Sequence, residues 1–145
     1  MEVKQREFKL ICDTESLELA RSGSVWGNIW VEISGLAFPE PNWNDMPVAF
    51  LAELLDAVAH VRRGGGDRRR VRFFDGPFWL DLVGRENDGT MEVTVNASGT
   101  SGARVVAVDA QEAARSLAAV RDELVRACLQ RGWGDQMDVR RLQAQ

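Results

Sequence analysis

The chain has 145 residues, of which 45% are hydrophobic and 28% are charged, proportions typical of a soluble globular protein. They exclude a disordered chain, a collagen-like fibre and a coiled coil, and the length favours one domain over residues 1–145. The net charge of −4 is uneven, because residues 62–72 hold six arginines and one aspartate (+5), leaving −9 on the rest of the chain.

The N-terminal segment, Met1–Leu10, contains no apolar stretch long enough for a signal peptide. No uncharged apolar run in the chain approaches the length of about 18 residues that a membrane span needs. The sequence therefore predicts a cytoplasmic location and no membrane contact.

Three strands are predicted first, at Glu7–Cys12, Ser16–Ala20 and Val25–Ser34, each with a period of two. Turn formers at 13–15 and 22–24 favour an antiparallel meander. The third strand separates two faces most clearly. One face carries Val25, Gly27, Ile29, Val31 and Ile33, and the other carries Trp26, Asn28, Trp30, Glu32 and Ser34.

A helix is predicted after the segment Phe38–Pro47, in which three prolines prevent regular structure. Asn44 or Asp45 is the predicted N-cap, and Gly64 ends the helix. Its apolar stripe consists of Leu51, Leu54, Leu55, Val58 and Val61.

Four more strands and a second helix follow. Arg69–Phe74 and Phe78–Gly84 are joined at Asp75-Gly76, a strong hairpin signal. Thr90–Ala97 and Ala103–Val108 complete the sheet, and a helix capped by Asp109 runs to Arg131. The predicted fold is α+β, with an antiparallel meander of six to seven strands and two helices in the order βββαββββα.

Residues for catalysis or metal binding are scarce. His60 is the only imidazole and lies on the polar face of its helix, while Cys12 and Cys128 lie at core-facing positions. No ligand spacing points to a metal, and no phosphate loop or other cofactor motif is found. We therefore expect no catalytic residue, no metal and no cofactor, although a carboxylate acid–base pair remains open.

Aromatic and arginine residues are the candidate binding residues. Trp26, Trp30 and Glu32 share one strand face, and Trp79 and Asp81 share another, each opposite an aliphatic face. Tryptophan is enriched in binding hot spots, but loops folded over the sheet would bury the indoles instead. The cluster Arg68, Arg69, Arg70 and Arg72 is either a solvated charge run or a bidentate anion site.

A family resemblance rests on three motifs spread over most of the chain from Val25 to Trp133. They are F-P-x(3)-W-x-D at Phe38–Asp45, F-x-D-G-P within Phe73–Phe78, and the G-W that follows Cys128–Arg131. This pattern resembles small uncharacterised bacterial proteins, some of which are similar to immunity proteins of polymorphic toxin systems. The resemblance implies an antiparallel sheet with helices and no catalytic residues.

The function that these observations favour is non-enzymatic protein binding in a bacterial cell, as an immunity-type inhibitor of a toxin. The acidic body suits a basic toxin domain and does not suit nucleic acid. A small accessory or ligand-binding domain is the alternative, and a carboxylate-based enzyme is the third hypothesis. The sequence is compatible with a monomer or a homodimer.

Overall fold

The computed structural model describes residues 8–63, 67–85, 89–99 and 104–145, which form eight strands and three helices. In chain order these are β1 (Phe8–Leu19), β2 (Val25–Ile33), β3 (Leu36–Phe38), β4 (Asn44–Asp45), α1 (Pro47–Arg63), β5 (Arg68–Arg72), β6 (Phe78–Gly84), β7 (Thr90–Ala97), β8 (Arg104–Asp109), α2 (Ala110–Gln130) and α3 (Met137–Gln143). Glu7, Ala103 and the predicted helix end at Gly64 lie outside the described residues.

The strands form two antiparallel sheets where the sequence predicted one. In the first sheet β2 pairs with β1, β3 and β4, and the second sheet has the order β5-β6-β7-β8. The α+β class and the antiparallel pairing are confirmed. The strand count differs because β3 and β4 are two or three residues long, too short for a period of two to reveal.

Strand β1 covers a segment for which the sequence predicted two strands and a turn. Its pairing with β2 shifts register between Asp13 and Glu18, the mark of a β-bulge. The Ser16 hydroxyl donates to the Asp13 carbonyl oxygen (2.6 Å) and accepts from the Asn28 amide (2.8 Å). The turn-forming residues therefore kink one strand instead of reversing the chain.

Helix α1 begins at Pro47, where the missing amide has no intrahelical partner to lose. It packs against β2 of the first sheet and against β5 and β6 of the second. Its predicted apolar stripe is buried except at Leu55, which is partly buried. The helix therefore supplies core to both sheets.

Asp45, a candidate helix cap in the sequence, is fully buried and links the two sheets. Its Oδ1 accepts the backbone amides of Met46 (2.7 Å) and Phe74 (3.1 Å). Its Oδ2 accepts the Asp75 amide (3.1 Å) and the Trp43 indole N–H (3.0 Å). Because Phe74 and Asp75 belong to the β5–β6 loop, one carboxylate joins β4 and the start of α1 to the second sheet.

Aromatic rings pack around Asp45, where the β5–β6 loop meets the first sheet, and we call this region the aromatic junction. Phe38 of β3 lies edge-to-face on Phe73 and Phe78, with ring centroids 6.0 Å and 5.6 Å away. Trp43 packs on Phe78 at 5.2 Å, and Phe50 of α1 stacks on Phe73 at 4.3 Å. The loop end of the β5–β6 hairpin is thereby fixed against the first sheet.

Helix α2 is capped as predicted, since the Asp109 side chain accepts the Glu112 amide at 2.9 Å. It ends at Gln130, and Gly132, just beyond the C-cap Arg131, has a φ of 79°, which is accessible to glycine. Helix α3 was not predicted from the sequence, because Val139 and Leu142 are the only buried residues of this helix and form no periodic stripe. Arg141 anchors α3 to α1 through Glu53 (3.2 Å) and Asp56 (2.8 Å).

Buried residues from both sheets and all three helices form one hydrophobic cluster. In the described part of the chain, no helix combines the length and the apolar character needed to cross a bilayer.

Candidate functional site

Buried and half-buried residues alternate along β2 and β6. Each sheet therefore has an inner face, buried against the helices, and an outer face turned away from them. Residues 25, 27, 29, 31 and 33 are buried, whereas the residues between them are half-buried. In β6, Leu80 and Leu82 are buried while Trp79 and Asp81 are half-buried. The predicted tryptophans all lie on outer faces, but Trp26 and Trp30 belong to the first sheet and Trp79 to the second.

The outer side of the first sheet, here called the Trp30 face, contains both indoles and Glu32. Cross-strand pairing places Ile11 opposite Trp30, Glu18 opposite Trp26 and Lys9 opposite Glu32. Asp13 adds a further carboxylate opposite Asn28. The three carboxylates outnumber the single ammonium, so the face combines aromatic area with negative charge.

The sequence left open whether the Trp30 indole is exposed or covered by loops. In the structure Trp30 is half-buried, which is intermediate between the two. Its Nε1 is buried, and no hydrogen-bond acceptor reaches it among the described residues. A buried donor without an acceptor costs about 1–3 kcal/mol. Packing of the ring beside its cross-strand neighbour Ile11 therefore has to offset this cost.

The outer side of the second sheet brings together five predicted site residues and Asn96, which was not predicted; the predicted ones are Arg68, Arg70, Arg72, Trp79 and Asp81. We call the set Arg70, Arg72, Trp79, Asp81 and Asn96 the Trp79 cluster, and Arg68 lies on the same face of β5. The guanidinium carbons of Arg70 and Arg72 lie 4.9 Å and 5.0 Å from the centroid of the Trp79 ring.

Asp81 is the acceptor at the centre of the Trp79 cluster. Its Oδ1 accepts from Arg70 Nε at 2.9 Å. Its Oδ2 accepts from Trp79 Nε1 (3.2 Å), Asn96 Nδ2 (3.1 Å) and Arg70 Nη2 (3.4 Å). The Asp81 hydrogen bond is also the main cause of the raised pKa of Arg70. The cluster is therefore a connected network of aromatic and charged groups.

Arg69 is separated from the other predicted arginines. It lies on the opposite side of β5, where its Nη2 is 3.2 Å from His60 Nδ1. His60 Nε2 is in turn 3.4 Å from an Asp67 carboxylate oxygen. The structure thus places Arg69 beside helix α1 and not beside Trp79.

Replacing His60 with alanine should lower the free energy of unfolding by less than about 0.5 kcal/mol, because exposed polar contacts contribute little. Urea unfolding would measure the change. A variant that folds normally but loses its biological activity would contradict the non-enzymatic interpretation, since His60 is the only imidazole of the chain.

The two cysteines behave as core residues. Burial raises the pKa of Cys12 to about 12 and that of Cys128 to about 11. A raised pKa keeps both thiols protonated near neutral pH, which disfavours nucleophilic or ligand chemistry. Among residues 8–63, 67–85, 89–99 and 104–145, no three His, Cys, Asp or Glu side chains are grouped to hold a metal ion.

Two residues of these networks were missed by sequence reasoning. Asn96 was not singled out, because its contact with Asp81 depends on the β6–β7 register. Asp45 was interpreted only as a cap, although the W-x-D motif holds a signal: Trp43 donates its indole N–H to Asp45. Spacing in the sequence does not show that the same carboxylate also reaches residues 74 and 75.

Comparison with protein-family models, with curated proteins and with solved structures found no match to this chain. What the chain does is therefore inferred from its own residues.

Proposed function

We propose that this protein is a non-enzymatic binding protein of the immunity type, which inhibits a toxin in the bacterial cytoplasm by covering part of its surface. The observation that supports the proposal is the Trp30 face. Two half-buried indoles lie there among the carboxylates of Asp13, Glu18 and Glu32. Aromatic anchors with a polar rim around them are characteristic of protein-binding surfaces.

The partner in this proposal is a basic protein domain. The carboxylates of the Trp30 face steer such a domain towards the sheet and raise the association rate. The indoles then provide the desolvated area that slows dissociation. Charge and aromatic area therefore act on different rate constants.

The experiment begins with affinity capture from the native cell followed by mass spectrometry, with wild type and Trp30→Ala as parallel baits. The captured partner is then measured by kinetic binding and by an assay of its toxic activity. Inhibition by the wild-type domain supports the proposal. Binding without inhibition, or capture of no basic protein, contradicts it.

Trp30→Ala should weaken partner binding by at least about 2 kcal/mol, mainly through faster dissociation. Trp30→Phe is the matched control: it keeps a six-membered aromatic ring and removes the N–H without an acceptor together with the rest of the five-membered ring. We expect it to fold about as stably as wild type, because the lost packing offsets the removal of a buried donor, and to retain most of the affinity. Urea unfolding of both variants separates loss of folding from loss of binding.

Neutralising carboxylates of the Trp30 face provides a second test of the proposed function if Trp30→Ala does not fold. Glu18→Gln with Glu32→Gln should slow association, and added salt should slow association of the wild type in the same way. Glu40→Gln with Asp135→Asn changes the net charge equally at exposed sites outside the Trp30 face. Equal slowing by both pairs would show that the Trp30 face does not contact the partner.

A further inference from the structure

The Trp79 cluster lies beside strand β5, which is the edge of the second sheet. Among the described strands, β5 pairs only with β6. Arg68, Arg70 and Arg72 alternate along its outer face. Long flat edges favour pairing with another chain, and a row of charges restricts which chain can pair.

The positive charges of Arg68, Arg70 and Arg72 are not all paired with carboxylates on the same face. Arg70 is neutralised by Asp81, and Glu92 is held by Arg85 at 2.6 Å. Arg68 and Arg72 have no carboxylate within 4.0 Å among the described residues. Two positive charges on one edge strand are therefore available to an anionic partner.

Arg72 is also preorganised. Its guanidinium lies over the Trp79 ring, and that ring is fixed by its own hydrogen bond to Asp81. A side chain already held in place loses less conformational entropy on binding. The planar guanidinium matches a carboxylate through two parallel hydrogen bonds. The contact with Trp79 distinguishes Arg72 from a freely solvated arginine.

We propose that the outer face at β5 binds an extended acidic segment of a protein, which adds to the edge of the second sheet. Alternate residues of an extended chain are about 6.6 Å apart on both strands, so carboxylates at every second position meet Arg68, Arg70 and Arg72 in register. Nucleic acid fits less well, because it lacks the backbone N–H and C=O groups with which an extended peptide pairs with a strand edge.

The probe is a blocked peptide in which threonine and glutamate alternate, titrated into the full chain labelled with ¹⁵N for NMR. We expect saturable shifts of the β5 amides and of the Trp79 indole N–H, and none of the Trp30 indole N–H. One control peptide has glutamine for glutamate, and the other groups the same glutamates consecutively. Both should bind at least about fivefold more weakly, the effect of losing about 1 kcal/mol.

The variants test the arginines themselves. Arg72→Gln should weaken binding of the alternating peptide by about fivefold or more, and Arg68→Gln provides a second test if that variant does not fold. Arg63→Gln is the matched control, because it removes the same charge from the exposed end of α1.

Three results would overturn the proposal: no shifts at about 1 mM peptide, equal weakening by Arg63→Gln, or equal binding of the consecutive peptide. Tighter binding of single-stranded DNA than of the peptide would also overturn it. The peptide experiment does not involve the Trp30 face. A negative result would therefore not affect the proposed function, which is tested by partner capture and kinetic binding.

Discussion

Asp45→Asn should lower the free energy of unfolding by about 3 kcal/mol or more, the largest effect we expect from one side-chain change. The carboxylate accepts four N–H donors, two on each oxygen. An amide has only one oxygen, so its NH₂ group would face two donors at a fully buried position. Two hydrogen bonds are lost and buried donors are left unsatisfied.

Urea unfolding followed by circular dichroism measures this change. Asp75→Asn is the control: it makes the same substitution in the β5–β6 loop on an exposed side chain, so we expect less than about 0.5 kcal/mol. If Asp45→Asn is as stable as Asp75→Asn, the Asp45 carboxylate does not hold the two sheets together.

Gly76→Val should lower the free energy of unfolding by about 2–4 kcal/mol, through backbone strain and overpacking together. Gly76 has a φ of +73°, which a β-branched residue rarely adopts. A Cβ there would lie 2.9 Å from two atoms of the Phe78 ring and 3.2 Å from Trp43 Cη2. The Phe78 ring cannot easily move, because Phe38 and Trp43 pack against it.

Gly35→Val separates the two causes. Gly35 also has a positive φ, of +82°, but a Cβ at this position meets nothing within 4 Å. We therefore expect only the strain, about 1–2 kcal/mol, from this control in the same urea experiment. Equal effects of the two substitutions would show that the aromatic junction does not confine Gly76.

Local patterns in the sequence predicted the elements that depend on nearby residues. β6 and β7 have the predicted bounds, Phe78–Gly84 and Thr90–Ala97, because each alternates over at least seven residues. The inner and outer faces of β2 are as predicted for the same reason. The Asp109 cap was found because it depends on an amide only three residues away.

The candidate site was predictable only in part. Alternation placed the tryptophans on outer faces, and the arginine run indicated an anionic ligand or a solvated segment. The Trp79 cluster itself depends on the register that sets Arg72 opposite Trp79 and Trp79 opposite Asn96. Register between strands is a long-range property, so the sequence did not reveal which side chains meet.

The sequence by itself determined the α+β class, the antiparallel strands and the faces of the main elements, because side-chain periodicity and turn chemistry act over a few residues. Only the tertiary structure decided that the strands divide into two sheets, which separates Trp26 and Trp30 from Trp79. It also made Asp45 a link between those sheets instead of a simple cap. These features depend on contacts between residues about thirty or more positions apart, for which a short-range pattern carries no information.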